Sequence, residues 1–132
     1  MRVKLLFKIS FYVPVEQCET VKLAMFSAGA GRYEQPVNMT AQGVKGRVEK
    51  GDTYDRCAWQ TLGDGQFRPL DGSQPAIGEI GEVTVVPEYK VEMLCSKDCL
   101  HTVVSALISA HPYEQVAYHI VPVFALSDLS LD

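Results

Sequence analysis

No run of apolar residues in this 132-residue chain approaches the roughly 18–20 that a helix needs to cross a bilayer, so no membrane-spanning helix is expected. A basic stripe is also missing. Lysine and arginine are scattered, the net charge is −4 and the pI is near 5.3. Nucleic acid is therefore not an expected partner, because phosphate backbones call for a clustered positive surface. The chain also lacks the unbroken apolar stretch of about 7–15 residues that a secretory leader requires. Its opening, residues 1–15, is interrupted by Lys8 and Ser10 and reads as a strand. Without a leader, Cys18, Cys57, Cys95 and Cys99 are expected as free thiols in a reducing cytoplasm. There is no repeat of fixed period and no Gly-x-x-x-x-Gly-Lys-Ser/Thr phosphate loop. Nor does any pair of carboxylates, nucleophile–base set or cofactor fingerprint stand out. A small binding or sensing module fits these absences better than a self-contained enzyme.

What is present describes one globular domain over residues 1–132. The hydrophobic share of 47% and charged share of 21% are ordinary for a chain that buries a core without staples. Residues 3–13 are rich in Val, Leu, Phe, Ile and Tyr and predict a first strand. Pro14 ends it and suits the first turn of a helix. Val21, Leu23, Ala24, Met25 and Ala28 recur at helical spacing over 15–28, and Gly29-Ala30-Gly31 provides the stop. Residues 33–53, with Pro36, Asn38, Gly43, Gly46 and Gly51, predict a flexible insert, a functional loop or an unrecognised hairpin.

Residues 54–61 predict a second strand, Gly63-Asp64-Gly65 a tight turn, and 67–72 an irregular connector ending in a turn. Alternation over 83–94 predicts a third strand, with a bulge or edge-like interruption at Pro87. Ser96 is a plausible N-cap for a helix whose apolar stripe runs Leu100, Val103, Val104, Leu107 and Ile108. His111-Pro112 breaks that helix, 116–124 predicts the last strand, and 126–132 a loose tail. Strand-helix-strand thus occurs twice. The expected class is α+β: a ferredoxin-like β-α-β-β-α-β sandwich, an antiparallel sheet with two helices on one face.

The segment His111-Pro112-Tyr113-Glu114, between the second helix and the last strand, resembles the signature of CutA proteins. A second block runs from Tyr54-Asp55-Arg56-Cys57-Ala58-Trp59-Gln60-Thr61-Leu62-Gly63-Asp64-Gly65-Gln66-Phe67-Arg68-Pro69-Leu70 to Gly72 and 75–78. With Gly29-Ala30-Gly31 and the His-Pro-Tyr-Glu segment, it resembles the CutA-like module of the NGG-interacting-factor-three (NIF-three-like) family. The resemblance implies a CutA/PII-like fold and a homo-oligomer, most typically a trimer. In larger members the module is inserted in a domain that binds a dinuclear metal centre, and small proteins made of the module alone also exist. The present sequence departs from the pattern in the length of residues 33–53 and in having Gln115-Val116 after His-Pro-Tyr-Glu. The insert resembles in position the mobile ligand loop of PII proteins.

Two readings stand beside each candidate site. His111 and Glu114 are candidate ligands of a divalent metal, since imidazole and carboxylate at close range bind such ions. Alternatively His111 caps the last helical carbonyls while Tyr113 packs on a subunit neighbour. Residues 63–78 offer backbone N–H groups to an anion with Arg68 supplying charge; alternatively Phe67 and Pro69 anchor a connector and Arg68 pairs with a carboxylate. Trp59 and Phe67 are equally suited to an interface. The candidate ligand contacts are therefore Trp59, Gly65, Phe67 and Arg68, in clefts between subunits. Cys95, Cys99 and His101 are short of the four ligands of a structural zinc site. Cys57 shares a strand face with Trp59 and reads as core.

Overall fold

The computed structural model describes residues 5–32, 38–40, 43–45 and 53–129. Strand β1 (Leu6–Pro14) leads through a 3-10 turn at Val15–Gln17 into helix α1 (Cys18–Ser27). Two short strands follow, β2 (Asn38–Thr40) and β3 (Gly43–Lys45), paired antiparallel with each other. This hairpin was one of the alternatives for residues 33–53, and the flexibility expected of the rest of that segment lies outside the described residues. Then come β4 (Trp59–Phe67), β5 (Thr84–Ser96), α2 (Lys97–Ala110) and β6 (Tyr118–Val123).

The main sheet has the order β4-β5-β1-β6 with every neighbour antiparallel. Each helix connects two strands separated by a third, which is the split β-α-β arrangement of a ferredoxin-like sandwich. The period of two decides what lies against the helices. Ile9, Phe11 and Val13 of β1 face that way and pair in register with Met93, Val91 and Tyr89 of β5. Phe11, Val21, Met25, Val103 and Leu107 are fully buried, so β1 and both helices share one core. Of the apolar stripe expected on α2, Ile108 is exposed.

Helix α1 ends as Gly29-Ala30-Gly31 implies. The N–H of Ala30 donates to the Met25 carbonyl at 3.1 Å and that of Gly29 to Phe26 at 3.0 Å, the paired bonds of a Schellman motif. Gly29 takes φ +116° there, a conformation side chains resist. Gly31 then docks on the sheet, its N–H donating to the Leu94 carbonyl at 2.9 Å.

The structure corrects the expectation for the second strand. Gly63-Asp64-Gly65 does not turn; it lies inside β4, paired with Glu88, Pro87 and Val86. The strand therefore runs to Phe67, and residues 68–83 form the whole connection to β5. The turn at Gly72 is real: the N–H of Ser73 donates to the Leu70 carbonyl at 3.1 Å. Pro87 makes no bulge. It lies one residue beyond Glu88, the last partner of β1, where β5 has become an edge and needs no donor on that side. At the other end of the chain, part of the expected loose tail forms a 3-10 turn at Leu126–Asp128, with Asp128 Oδ2 accepting from the Ala125 N–H at 2.7 Å; residues 130–132 lie outside the described residues.

Because Phe11 is fully buried between sheet and helices, Phe11→Ala should lower stability by about 3–5 kcal/mol. Urea titration should show a lower midpoint with an unchanged slope, whereas exposed His101→Ala should stay within about 0.5 kcal/mol of the parent.

Candidate functional site

The sheet face turned away from the helices carries a different chemistry. Alternation places Ser10 and Tyr12 of β1, Gly63, Gly65 and Phe67 of β4, and Glu88 of β5 on it. Over the end of this face the connector 68–77 and the loop 113–117 close a cleft of about 360 Å³. Its walls include Tyr12, Phe67, Arg68, Glu88, Tyr113 and Glu114. Pro69 is buried and its carbonyl accepts from the Gly81 N–H at 2.8 Å, which draws the connector closed at its base.

At the floor lies Glu88, only 7% exposed. Its Oε2 accepts from the Tyr113 hydroxyl at 2.7 Å. The carboxylate rests across the neighbouring strand at Gly65, where a Cβ would overlap it. Gly65 is therefore a close-approach glycine: its missing side chain makes the space that Glu88 fills. Burial first, then the Glu88 hydrogen bond and charge, push the Tyr113 hydroxyl upward from its ordinary pKa, so it remains a donor.

Tyr113 is set in place by His111, which is 6% exposed. The Tyr113 N–H donates to His111 Nδ1 at 3.1 Å, and His111 Nε2 lies 2.7 Å from the Tyr12 carbonyl. Since Nδ1 accepts, the ring proton is assigned to Nε2, which donates to Tyr12. The rings of His111 and Tyr113 are 4.9 Å apart, and those of Phe67 and Tyr113 5.7 Å. Burial holds His111 below the ordinary imidazole pKa, against the opposing effects of the Tyr12 bond and the Glu88 charge.

The structural alternative for His111 thus takes a form the sequence did not indicate. The ring bonds to β1 rather than to the last carbonyls of its own helix, and Tyr113 packs within the same chain. Neither ring nitrogen has a lone pair to spare, so a metal ion at His111 would have to displace a backbone hydrogen bond. Glu114 Oε1 accepts from the Gln74 N–H at 2.8 Å, and among the described residues no group of three His, Cys, Asp or Glu is placed to hold a metal. These residues do not fit a metal centre.

Of the candidate ligand contacts, Phe67 and Arg68 stand on the cleft wall and Gly65 lies beneath Glu88. Trp59 is at the other end of β4, roughly 26 Å away along an extended strand, 59% exposed and outside the cleft. The expected anion-binding run of backbone N–H groups over 63–78 is interrupted by structure, since Gly63 to Phe67 belong to the β4–β5 ladder. Glu88 and Tyr12 were not singled out from sequence. The available signal for Glu88 was a carboxylate directly after Pro87, on the same strand face as Lys90 and Glu92. Cys57 is half-buried rather than core, and Cys95 and Cys99 lie with Sγ atoms 3.7 Å apart beside Ser96.

The fold is a ferredoxin-like α+β domain of the CutA kind. The divalent ion tolerance protein CutA1 of Ehrlichia chaffeensis superposes with a TM-score of 0.57 at 11% identity, covering 96% of this chain and 89% of that one, a likeness of fold alone. The chain is homologous to part of the GTP cyclohydrolase 1 type 2 homologs. It is 39% identical to that of Bacillus subtilis over 116 residues, 88% of this chain and 26% of the relative. With the Mycobacterium leprae protein it shares 38% identity over 109 residues, 83% of this chain and 24% of the relative. The chain thus spans about a quarter of the length of the curated relatives it matches. A Bacillus cereus protein related to NIF3 gives a TM-score of 0.67 at 27% identity, over 93% of this chain and 27% of that structure. No family model matches.

Two outcomes test the site's construction. Gly65→Ala should swing the Glu88 carboxylate aside and break its bond to Tyr113, a loss of about 1–3 kcal/mol. In a Glu88→Ala background the same change should cost markedly less, and a double-mutant cycle measured by urea unfolding reads the coupling. The second outcome concerns pH. Folded His111 resists protonation, while the unfolded imidazole takes a proton near its ordinary value of about 6.5. The unfolded chain then binds more protons on acidification, so this contribution is complete above about pH 6.5 and is lost as pH falls through the depressed folded value. The parent's melting temperature should therefore fall more steeply below about pH 6.5 than that of His111→Gln.

Proposed function

We propose that this chain is an oligomeric binding module whose small-molecule ligand occupies the cleft over Glu88 and Tyr113. The observation that carries this reading is the cleft itself. A volume of about 360 Å³ falls within the range of small-molecule sites, as does a wall of aromatic and apolar side chains around a few convergent polar groups. Phe67, Pro69, Leu70 and Ile77 supply the apolar part, and Glu88, Tyr113, Arg68 and Glu114 the polar part. They come from segments far apart in sequence, so the pocket exists only in the folded chain.

Self-association rests on the sheet. Strands β4 and β6 are its two edges, and edges invite pairing or covering. Trp59 and Leu62 on β4, Ile120 and Val121 on β6, and Phe124 just beyond it are large apolar side chains left exposed. A trimer, the assembly implied by the resemblance to CutA proteins, is the arrangement we favour. No helix among the described residues is long and apolar enough to cross a membrane, and free thiols at Cys18, Cys57, Cys95 and Cys99 accord with a reducing cytoplasm.

Native mass spectrometry of the freshly purified, chelator-free chain tests both parts. The expected species is a trimer, with bound mass that Phe67→Ala loses while keeping its oligomeric state. A monomer at micromolar concentration would count against the assembly. Failure of every compound in a metabolite collection to raise the melting temperature would count against the cleft as a binding site.

A further inference from the structure

The floor of the cleft is chemically incomplete. Glu88 is more than nine-tenths buried, yet its carboxylate has one hydrogen bond from a described residue, the Tyr113 hydroxyl at 2.7 Å. An ionised carboxylate has about four acceptor positions, and a buried charge is costly unless paired. No lysine or arginine among the described residues supplies the pair. Lys8 and Lys90 both turn to Glu92, at 3.6 and 3.4 Å. Lys22 bonds Glu19, and Arg32 faces Asp55. The nearby His111 cannot serve, since its one N–H goes to the Tyr12 carbonyl and its other nitrogen accepts.

The walls add to the same imbalance. Glu114 places a second carboxylate on the cleft, and its only bond from a described residue is the Gln74 N–H. Among the described residues on the cleft, one cation stands against two carboxylates: Arg68, which is exposed toward solvent. Tyr12, Phe67 and Tyr113 also line the cleft, and an aromatic wall accommodates a cation better than an anion wherever a ring face meets it.

We infer that the cleft takes a small organic cation: an ammonium or amidinium-type head directed at Glu88, carried on an apolar or aromatic body that lies against Phe67, Pro69 and Ile77. The inference rests on the reading of the cleft as the ligand site and adds the ligand's class. The head supplies the N–H donors that the buried carboxylate lacks, and the body displaces water from the apolar wall. At about 360 Å³ the space suits an arylalkylamine-sized molecule, not a polymer.

Three probes of nearly equal shape test it on the full chain: phenethylamine, phenethyl alcohol and phenylacetate. Their binding is followed by NMR shifts of Gly65, Phe67 and Tyr113. The amine is expected to perturb these resonances saturably and to bind about tenfold or more tightly than the alcohol. Glu88→Gln keeps the shape and an acceptor for Tyr113, and should remove that preference while the melting curve and oligomeric state hold. Equal binding of amine and alcohol, or an amine preference that survives Glu88→Gln, overturns the cation while leaving the cleft as a binding site. So does binding of phenylacetate alone, which would assign the site to Arg68 and an anion. Dissociation of the oligomer in Glu88→Gln also overturns it, by showing that a neighbouring subunit supplies the cation. Silence of the cleft resonances toward all three probes overturns the inference, and silence toward a wider metabolite collection the binding function as well.

Discussion

One neutral imidazole links the helical layer to the open face of the sheet. His111 stands where α2 ends, donates through Nε2 to the Tyr12 carbonyl near the end of β1, and accepts through Nδ1 from Tyr113. Both bonds call for one tautomer, and protonation would remove the acceptor that orients Tyr113. The position of Tyr113 follows from that arrangement, and strand pairing supplies the rest of the cleft's inner wall. Tyr113 reaches Glu88 because its backbone is held, Glu88 lies flat because Gly65 has no side chain, and Phe67 packs on the tyrosine ring.

This arrangement also separates binding from metal chemistry. Short motifs of imidazole and carboxylate are read as ligand sets when only their spacing is known. In the folded chain both imidazole nitrogens are already engaged by main chain, and Glu114 caps a backbone N–H of the connector. Among the described residues, the group left with spare capacity is Glu88, a residue with no motif around it. Acceptors that a fold buries and does not satisfy identify a site more directly than residues that merely attract attention in sequence.

The matched segment makes up about a quarter of each homologous protein. What is shared is one domain, which in this chain has its own core, a sheet with two edges and a cleft on the face its helices do not cover. Function at that level belongs to the site and not to the ferredoxin-like fold, which hosts many unrelated activities.

Residue type and period by themselves determined the element order, the class and most of the core. Apolar residues at helical spacing in 15–28 and from Leu100 to Ile108, and alternation in 83–94, are local signals, and each of these elements buries the face its period defines. The Gly-Ala-Gly stop was equally legible, because positive φ is a local demand. Tertiary pairing decided the rest. Gly63-Asp64-Gly65 carries the composition of a turn, but β5 supplies a full ladder opposite it, and those hydrogen bonds outweigh a weak local preference. The same pairing brings Gly65 under Glu88, which no spacing along the chain reveals. His111 and Tyr12 lie 99 residues apart in sequence and meet only because β1 is central in the sheet and α2 crosses it. Local sequence thus determined the parts, while the site depended on long-range register, since a carboxylate's partners are set by which strand lies beside it.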